Sequence, residues 1–261
     1  MEWKKIRAWL ILMVLAVDLF LAGNLLRQGL AVRQHEREAV QDAVAVAQSR
    51  GMNIPAEDVM ALPEKMTVWQ AQRSEQQERA AAQALLGTVQ SENPGGGVSI
   101  YTGEAGQMIF RRGGAVELDG LWNGTDSMTV ADVLLNAGFA VDETLLLQQP
   151  DRLEVTQRFE DYPVFNSRLT CRLDNGRLLA EGRWMLAEEP EELGSGRSRA
   201  QLVLALCDLL ESRQAVPTAL QAGYCLLSED GQSLTLEPVW AAETDQGRLL
   251  ISCVTGLELN F

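Results

Sequence analysis

The feature that most constrains this chain is an apolar run near its start, AWLILMVLAVDLFLAGNLL from Ala8 to Leu26, interrupted by a single charge at Asp18. A helix needs ~17 to 25 such residues to cross a bilayer, so the run is long enough to span one. Eleven of its residues are Leu, Ile, Val or Phe. Each favours insertion by ~0.3 to 0.6 kcal/mol, against a cost of ~2.5 to 3.5 kcal/mol for a central Asp. Insertion wins narrowly, and a transmembrane helix is expected over residues 6–27. Lys4, Lys5 and Arg7 lead into it, which favours a cytoplasmic N-terminus over residues 1–5 and an extracytoplasmic C-terminal domain. The expectation is a single-pass protein of the cell membrane. A cleaved signal peptide starts in the same way, but no small-x-small pair is well placed after the run, so an uncleaved anchor is the better reading.

An ionisable residue inside a span turns towards another helix or a wet cavity, because lipid does not solvate it. Val14, Leu15 and Ala22 lie three or four residues from Asp18 and share its helix face. These four residues are the candidate contact patch for a partner's transmembrane helix. The alternative is a neutral, protonated Asp tolerated in a hydrophobic anchor.

Beyond the span the chain is rich enough in apolar residues, 46% overall, to bury a core in one or two domains. The formal charge is −14 for the whole chain and −15 from residue 27 on. A surface of that sign repels phosphate backbones, so nucleic acid is not an expected partner. Cys171, Cys207, Cys225 and Cys253 form no CxxC and fall on apolar phases, which suits buried, unpaired thiols. The single histidine, His35, lies beside Glu36 and Glu38 near the span, so a zinc site or a Ser-His-Asp triad is poorly supplied. No cofactor is expected.

Residues 28–50 carry Val40, Val44 and Ala47 at helical spacing, with Gly51 as a natural stop, and read as a helical stalk. The stalk is either a spacer or a helix that pairs with a partner's juxtamembrane helix. Thr67 and Gln70 offer a capping-box start for a helix reaching Leu86 and ending at Gly87. SENPGGG, residues 91–97, reads as a flexible joint. After it the period changes to two: VSIYTG, QMIFRR and AVELDG read as strands, with Arg112-Gly113-Gly114 as a hairpin tip. Thr129 and Asp132 cap a helix that stops at Gly138.

RLEVTQRF and VFNSRLTCRL read as strands, the second with Phe165, Leu169, Cys171 and Leu173 inward, and Asp174-Asn175-Gly176 turns into RLLAEGRWML. Glu188 to Gly196 reads as a solvated acidic loop without calcium-loop spacing. Ser198 and Gln201 open a helix with Leu202, Leu206, Leu209 and Leu210 on one stripe. Three closing strands follow, the first two joined at Asp230-Gly231. PVF leading to DNGRLL is echoed by PVW leading to DQGRLL, which suggests a repeated helix-plus-hairpin unit. The expected fold is α+β: one N-terminal transmembrane helix, a helical stalk, then antiparallel β-sheets with packed helices, in subdomains 51–150 and 151–261.

The basic start with its polar-interrupted apolar helix, the RGMNIP phrase, YPVFNSRL with its DNG turn, and the closing LEPVW and CVTG together resemble the YycI-type regulatory proteins, whose YycH relatives share the C-terminal fold. The final RLLISCV departs from the Tyr-rich last strand often found there. The resemblance implies an extracytoplasmic accessory protein of the WalK sensor histidine kinase, in the two-component system controlling cell-wall metabolism of Gram-positive bacteria. It implies action beside a YycH-like partner, through protein contacts and not as an enzyme. Two other classes compete. A surface hydrolase would use paired acids, for which Glu154, Glu160 and Asp161 are the candidates. An ectodomain binding module for a peptide or cell-wall fragment would use Tyr162, Phe165, Trp184 and Trp240 to line a groove.

Overall fold

The computed structural model describes residues 3–122, 129–228 and 233–261, with side chains described from Met13 onward except 16, 24–26 and 28–32. Helix α1 (Trp3–Ser49) runs 47 residues without a break. It stops where Gly51 takes φ +82°, which lets the Met52 N–H reach back to the Ala47 carbonyl at 3.0 Å. A short helix, α2 (Ala56–Ala61), follows Pro55. Next come β1 (Thr67–Gln72), α3 (Glu75–Leu86), and the meander β2 (Val89–Gly95), β3 (Val98–Gly103), β4 (Gly106–Phe110) and β5 (Ala115–Leu121). Helix α4 (Val130–Asn136) precedes β6 (Val141–Gln148), β7 (Leu153–Phe159), β8 (Tyr162–Asp174), β9 (Arg177–Arg183) and β10 (Glu191–Ser195). Helix α5 (Arg199–Arg213) precedes β11 (Pro217–Ser228), β12 (Ser233–Thr244), β13 (Gly247–Ser252) and β14 (Glu258–Leu259). Three times, then, a helix is followed by an antiparallel meander.

The strands form one large sheet in the order β10-β1-β12-β11-β8-β9-β5-β4-β3-β2, with β13 and β14 branching from β12, and β7 and β6 from β8. Its pairs are antiparallel except where β8 meets β11 at Val164 and Tyr224. Beside that joint stands Gly223, where a Cβ would meet the Phe165 ring at 2.4 Å and the Pro163 carbonyl at 2.7 Å. Only glycine lets the two backbones come this close.

Among the described residues two large apolar cores result, with a small third cluster of Phe165, Cys225, Val239 and Ala241. The first draws on the chain's two ends: Val40 to Ala47 of α1, the segment from Met52 to Ala71, and α5 with β11, β12 and β13. The second is formed by the middle: α3, β3 to β5, α4 and the facing residues of β7, β8 and β9. The two large cores do not follow the expected boundary at residue 150: β5 and β9 pair along their whole length, and residues 52–71 pack with the C-terminal third. The long β8 serves both cores, giving Val164 to the first and Leu169 and Cys171 to the second.

Local expectations meet mixed outcomes. The capping box Thr129/Asp132 forms, and so does the strand-turn-strand at Asn175 and Gly176, both with positive φ. Gln201 accepts the Ser198 N–H at 3.2 Å at the start of α5. The helix from Thr67 is a correction: Thr67, Val68 and Trp69 are β-branched or aromatic and pair between β10 and β12, and the helix begins after Ser74, whose hydroxyl accepts the Gln77 N–H at 3.3 Å. SENPGGG is likewise no joint between domains. It is the β2–β3 hairpin, turned by Gly95, Gly96 and Gly97 with positive φ. The acidic segment after Glu188 gives β10, an edge strand on β1. Leu173 lies outside the core, 52% exposed, because it sits at the free end of β8. Asp230 and Gly231 lie outside the described residues.

Candidate functional site: the junction of helix α1 with the body

Helix α1 has two parts with opposite surroundings. From Met13 to Ala22 the described side chains are exposed, apolar ones included, and among them are all four members of the sequence-derived patch: Val14, Leu15, Asp18 and Ala22. The structure places these four on one helix and leaves them unpacked against the rest of the chain. Among the described residues no helix is long and apolar enough to cross a membrane. The flanks of the expected span, residues 8–12 and 24–26, lie outside the described side chains.

From Glu36 on, the same helix belongs to the body. Val40, Ala43, Val44 and Ala47 are buried against Leu202, Val203, Leu206, Cys207 and Leu210 of α5 in the first core. The expected stalk is thus corrected in its second half: Val40, Val44 and Ala47 face the chain's own α5, so they are neither a spacer nor open to a partner's helix. Small residues at Ala43 and Ala47 allow the two helices to approach closely.

The join is fixed by Arg199 at the first turn of α5. One of its terminal nitrogens donates to Glu36 Oε1 at 2.7 Å, and its Nε donates to the Leu62 carbonyl at 2.8 Å. Both side chains of the pair are largely withdrawn from water, 14% exposed for Glu36 and 11% for Arg199. A charge-assisted bond in such surroundings is stronger than its surface equivalent. At the other end of the contact, Arg50 donates to Asp208 at 2.6 Å on the exposed surface, a bond that raises the Arg50 pKa above its ordinary value. At ~1.5 Å per residue, Asp18 lies about 27 Å along the helix axis from Glu36.

Sequence reasoning missed this lock because Glu36 and Arg199 are 163 positions apart. It also missed a second polar knot, where Gln157 donates to the Met185 carbonyl at 2.7 Å and accepts from Ser167 Oγ at 2.6 Å and from the Met185 N–H at 2.9 Å. A third is Arg73, which donates to Glu78 and to Ser99 Oγ, both at 2.9 Å. Glu78 is 1% exposed, and burial raises its pKa although Arg73 pulls the other way.

Glu154 lies 3.7 Å from Arg152, and Asp161 accepts from Arg158 at 2.8 Å. Glu154 and Glu160 stand at opposite ends of β7, roughly 20 Å apart at ~3.3 Å per residue, too far for a glycosidase pair. Trp184 and Trp240 are each 1% exposed and Phe165 is buried, so these aromatics fill cores and line no groove. Tyr162 packs edge-on against Tyr224 at 6.1 Å. All four cysteines are buried and free. Burial raises all four thiol pKa values, with Cys171 and Cys225 pushed up to about 12. Among the described residues no group of His, Cys, Asp and Glu is arranged to hold a metal ion.

No family model matches this sequence, and no curated protein does. Among solved structures, an uncharacterized protein from Eubacterium rectale is similar over 77% of this chain and 88% of its own, with 10% identity and a TM-score of 0.42. The C-terminal domain of YpeB from Bacillus megaterium is similar over 72% of this chain and 96% of its own, with 10% identity and a TM-score of 0.34.

Proposed function

We propose that the chain is a membrane-anchored, extracytoplasmic accessory regulator of YycI type, which modulates a sensor histidine kinase of a cell-wall-controlling two-component system beside a YycH-like partner. It crosses the membrane once through residues 6–27, with the N-terminus cytoplasmic, and acts by contact and not by catalysis, with no cofactor. The observation that carries this reading is the continuity of α1, which passes from the apolar run into the first core without a break. A free tether would need no such burial. A helix clamped by Glu36–Arg199 and by four buried residues moves with the body, so an event at the ectodomain reaches Asp18 as a shift or rotation of a rod. Val14, Leu15, Asp18 and Ala22 then form the face that meets the kinase helix, with ectodomain contacts adding to it.

The test uses the full-length protein in membranes, compared with Asp18→Leu and with a form whose first 27 residues are replaced by an unrelated anchor. Co-purification of the kinase and output of its regulated genes are measured. Weakened association and altered output in both variants, with insertion intact, are expected. Unchanged association and output in both would overturn the transmembrane part of the proposal. If association survives the anchor exchange, recognition lies in the ectodomain.

A further inference from the structure

The sheet face turned away from α3 and α4 holds a pair of cations that the proposed function leaves unused. On β8, Leu169 and Cys171 point into the second core, so Arg168 points to the opposite face. On β9, Leu178 and Ala180 point into the same core, so Arg183 points away from it. The β8–β9 register ends with Leu169 opposite Gly182, so Arg168 and Arg183 are the next residues beyond it on the two strands. A Cβ on Gly182 would meet the Arg168 carbonyl at 2.1 Å, so the two strands remain in close contact here. Like charges close together on neighbouring strands repel each other and need a reason to be there.

Their surroundings supply little relief. Both side chains are half-buried. The Arg168 Nε is fully buried and has no hydrogen-bond partner. The Arg183 Nε donates to the Gly113 carbonyl at 2.7 Å, and burial lowers the Arg183 pKa. Among the described residues neither forms an ion pair, although Asp and Glu outnumber Lys and Arg 36 to 22 in the chain. Glu181, two positions before Arg183 on the same face, pairs with neither, and Glu237 accepts from Ser252 Oγ. The buried thiol of Cys225 on β11 lies within electrostatic reach of both guanidinium groups and of Glu237, its cross-strand neighbour on β12.

We infer that Arg168 and Arg183 together form a binding site for an oxyanion, a carboxylate or phosphate group supplied from outside the chain. Planar guanidinium groups offer paired N–H donors that match the oxygens of either anion. An anion between them offsets the repulsion and accepts from the Arg168 Nε, which has no hydrogen-bond partner. The inference does not rest on the membrane reading, since neither residue touches α1.

The full-length protein in detergent micelles is titrated with sodium phosphate and, separately, sodium acetate, at ionic strength held constant with sodium chloride, by calorimetry. Saturable binding of phosphate or acetate is expected, the responding salt identifying the anion class. Arg168→Gln and Arg183→Gln should each weaken it at least tenfold. Arg168→Lys should weaken it less, and Arg172→Gln, further along the same face of β8, should leave it unchanged. Absence of a saturable response to either salt in the unaltered protein would overturn the inference, whatever the variants do. So would an equal loss in Arg172→Gln, which would mark a diffuse charge effect.

Discussion

The two cores are assembled from the same parts, helices laid on antiparallel strands, yet they close in different ways. The second is self-contained: α3 and α4 cover a sheet whose strands lie within residues 89–183, and Glu78 with Arg73 seals its border with β1. The first is open without α1. Remove Val40, Ala43, Val44 and Ala47, and the inner faces of Leu202, Leu206 and Leu210 lose part of their cover. The difference teaches that the helix carrying the apolar run is structural for one core and absent from the other. A displacement of α1 therefore acts on the first core before the second.

The cysteines allow that contrast to be attacked directly. Cys207 and Cys253 lie in the first core and Cys171 in the second. With raised pKa values from burial, they react only when their core opens, because the thiolate is the reactive form. The largest effect is expected from Val44→Asp, which buries an unpaired charge between α1 and α5 at a cost of about 3–5 kcal/mol. Thiol labelling at pH 8 should then release Cys207 and Cys253 well before Cys171. Simultaneous release would mean that the two cores open as one.

Glu78→Ala should act on the opposite side of the comparison. It leaves Arg73, 13% exposed, without its carboxylate and costs about 3 kcal/mol, now with Cys171 labelled first. The milder Glu78→Gln tests a pH effect. Burial raises the Glu78 pKa above its ordinary 4.5, so between those two values the folded state binds more proton than the unfolded chain. This group's contribution accordingly falls as pH rises through that window. Urea midpoints of the unaltered protein, measured against Glu78→Gln across pH 4 to 8, should show that slope, and the variant should lack it.

Glu36→Gln comes next, at about 2 kcal/mol, because it weakens a charge-assisted bond in a largely buried setting. It should loosen α1 from α5 while Cys171 keeps its protection. The smallest effect belongs to Arg50→Ala, whose bond to Asp208 lies on the exposed surface; its thermal midpoint should match the unaltered protein within error. If Arg50 proved the stronger fastening, the clamp would lie at the wrong end of the contact.

Much of the fold was legible because local chemistry and tertiary context agree there. Thr129 and Asp132 cap α4, and Asp174-Asn175-Gly176 turns β8 into β9, as their residue types require. Legibility failed where a partner strand decided the outcome. Thr67 and Gln70 fit a capping box, but β10 and β12 capture the segment and move the helix start to Ser74. SENPGGG has the composition of a linker, and its glycines serve a hairpin equally well. The apolar stripe of the stalk was visible, but which surface it meets was not, because α5 lies more than 150 positions away. The patch around Asp18 is an expectation drawn from sequence alone, whereas Glu36–Arg199, Gln157–Ser167 and the pair Arg168 and Arg183 exist only once distant strands and helices are brought together.

The central claim is that α1 is one element shared between the apolar run and the first core. Amide hydrogen exchange of the full-length protein tests it most directly, read over residues 40–49 and compared with α5 and α4. The account predicts that 40–49 exchange with α5 as one cooperative unit, at a rate set by opening of the first core and distinct from that of α4. Exchange of 40–49 at the fast rate of a fraying helix, while α5 stays protected, would contradict it.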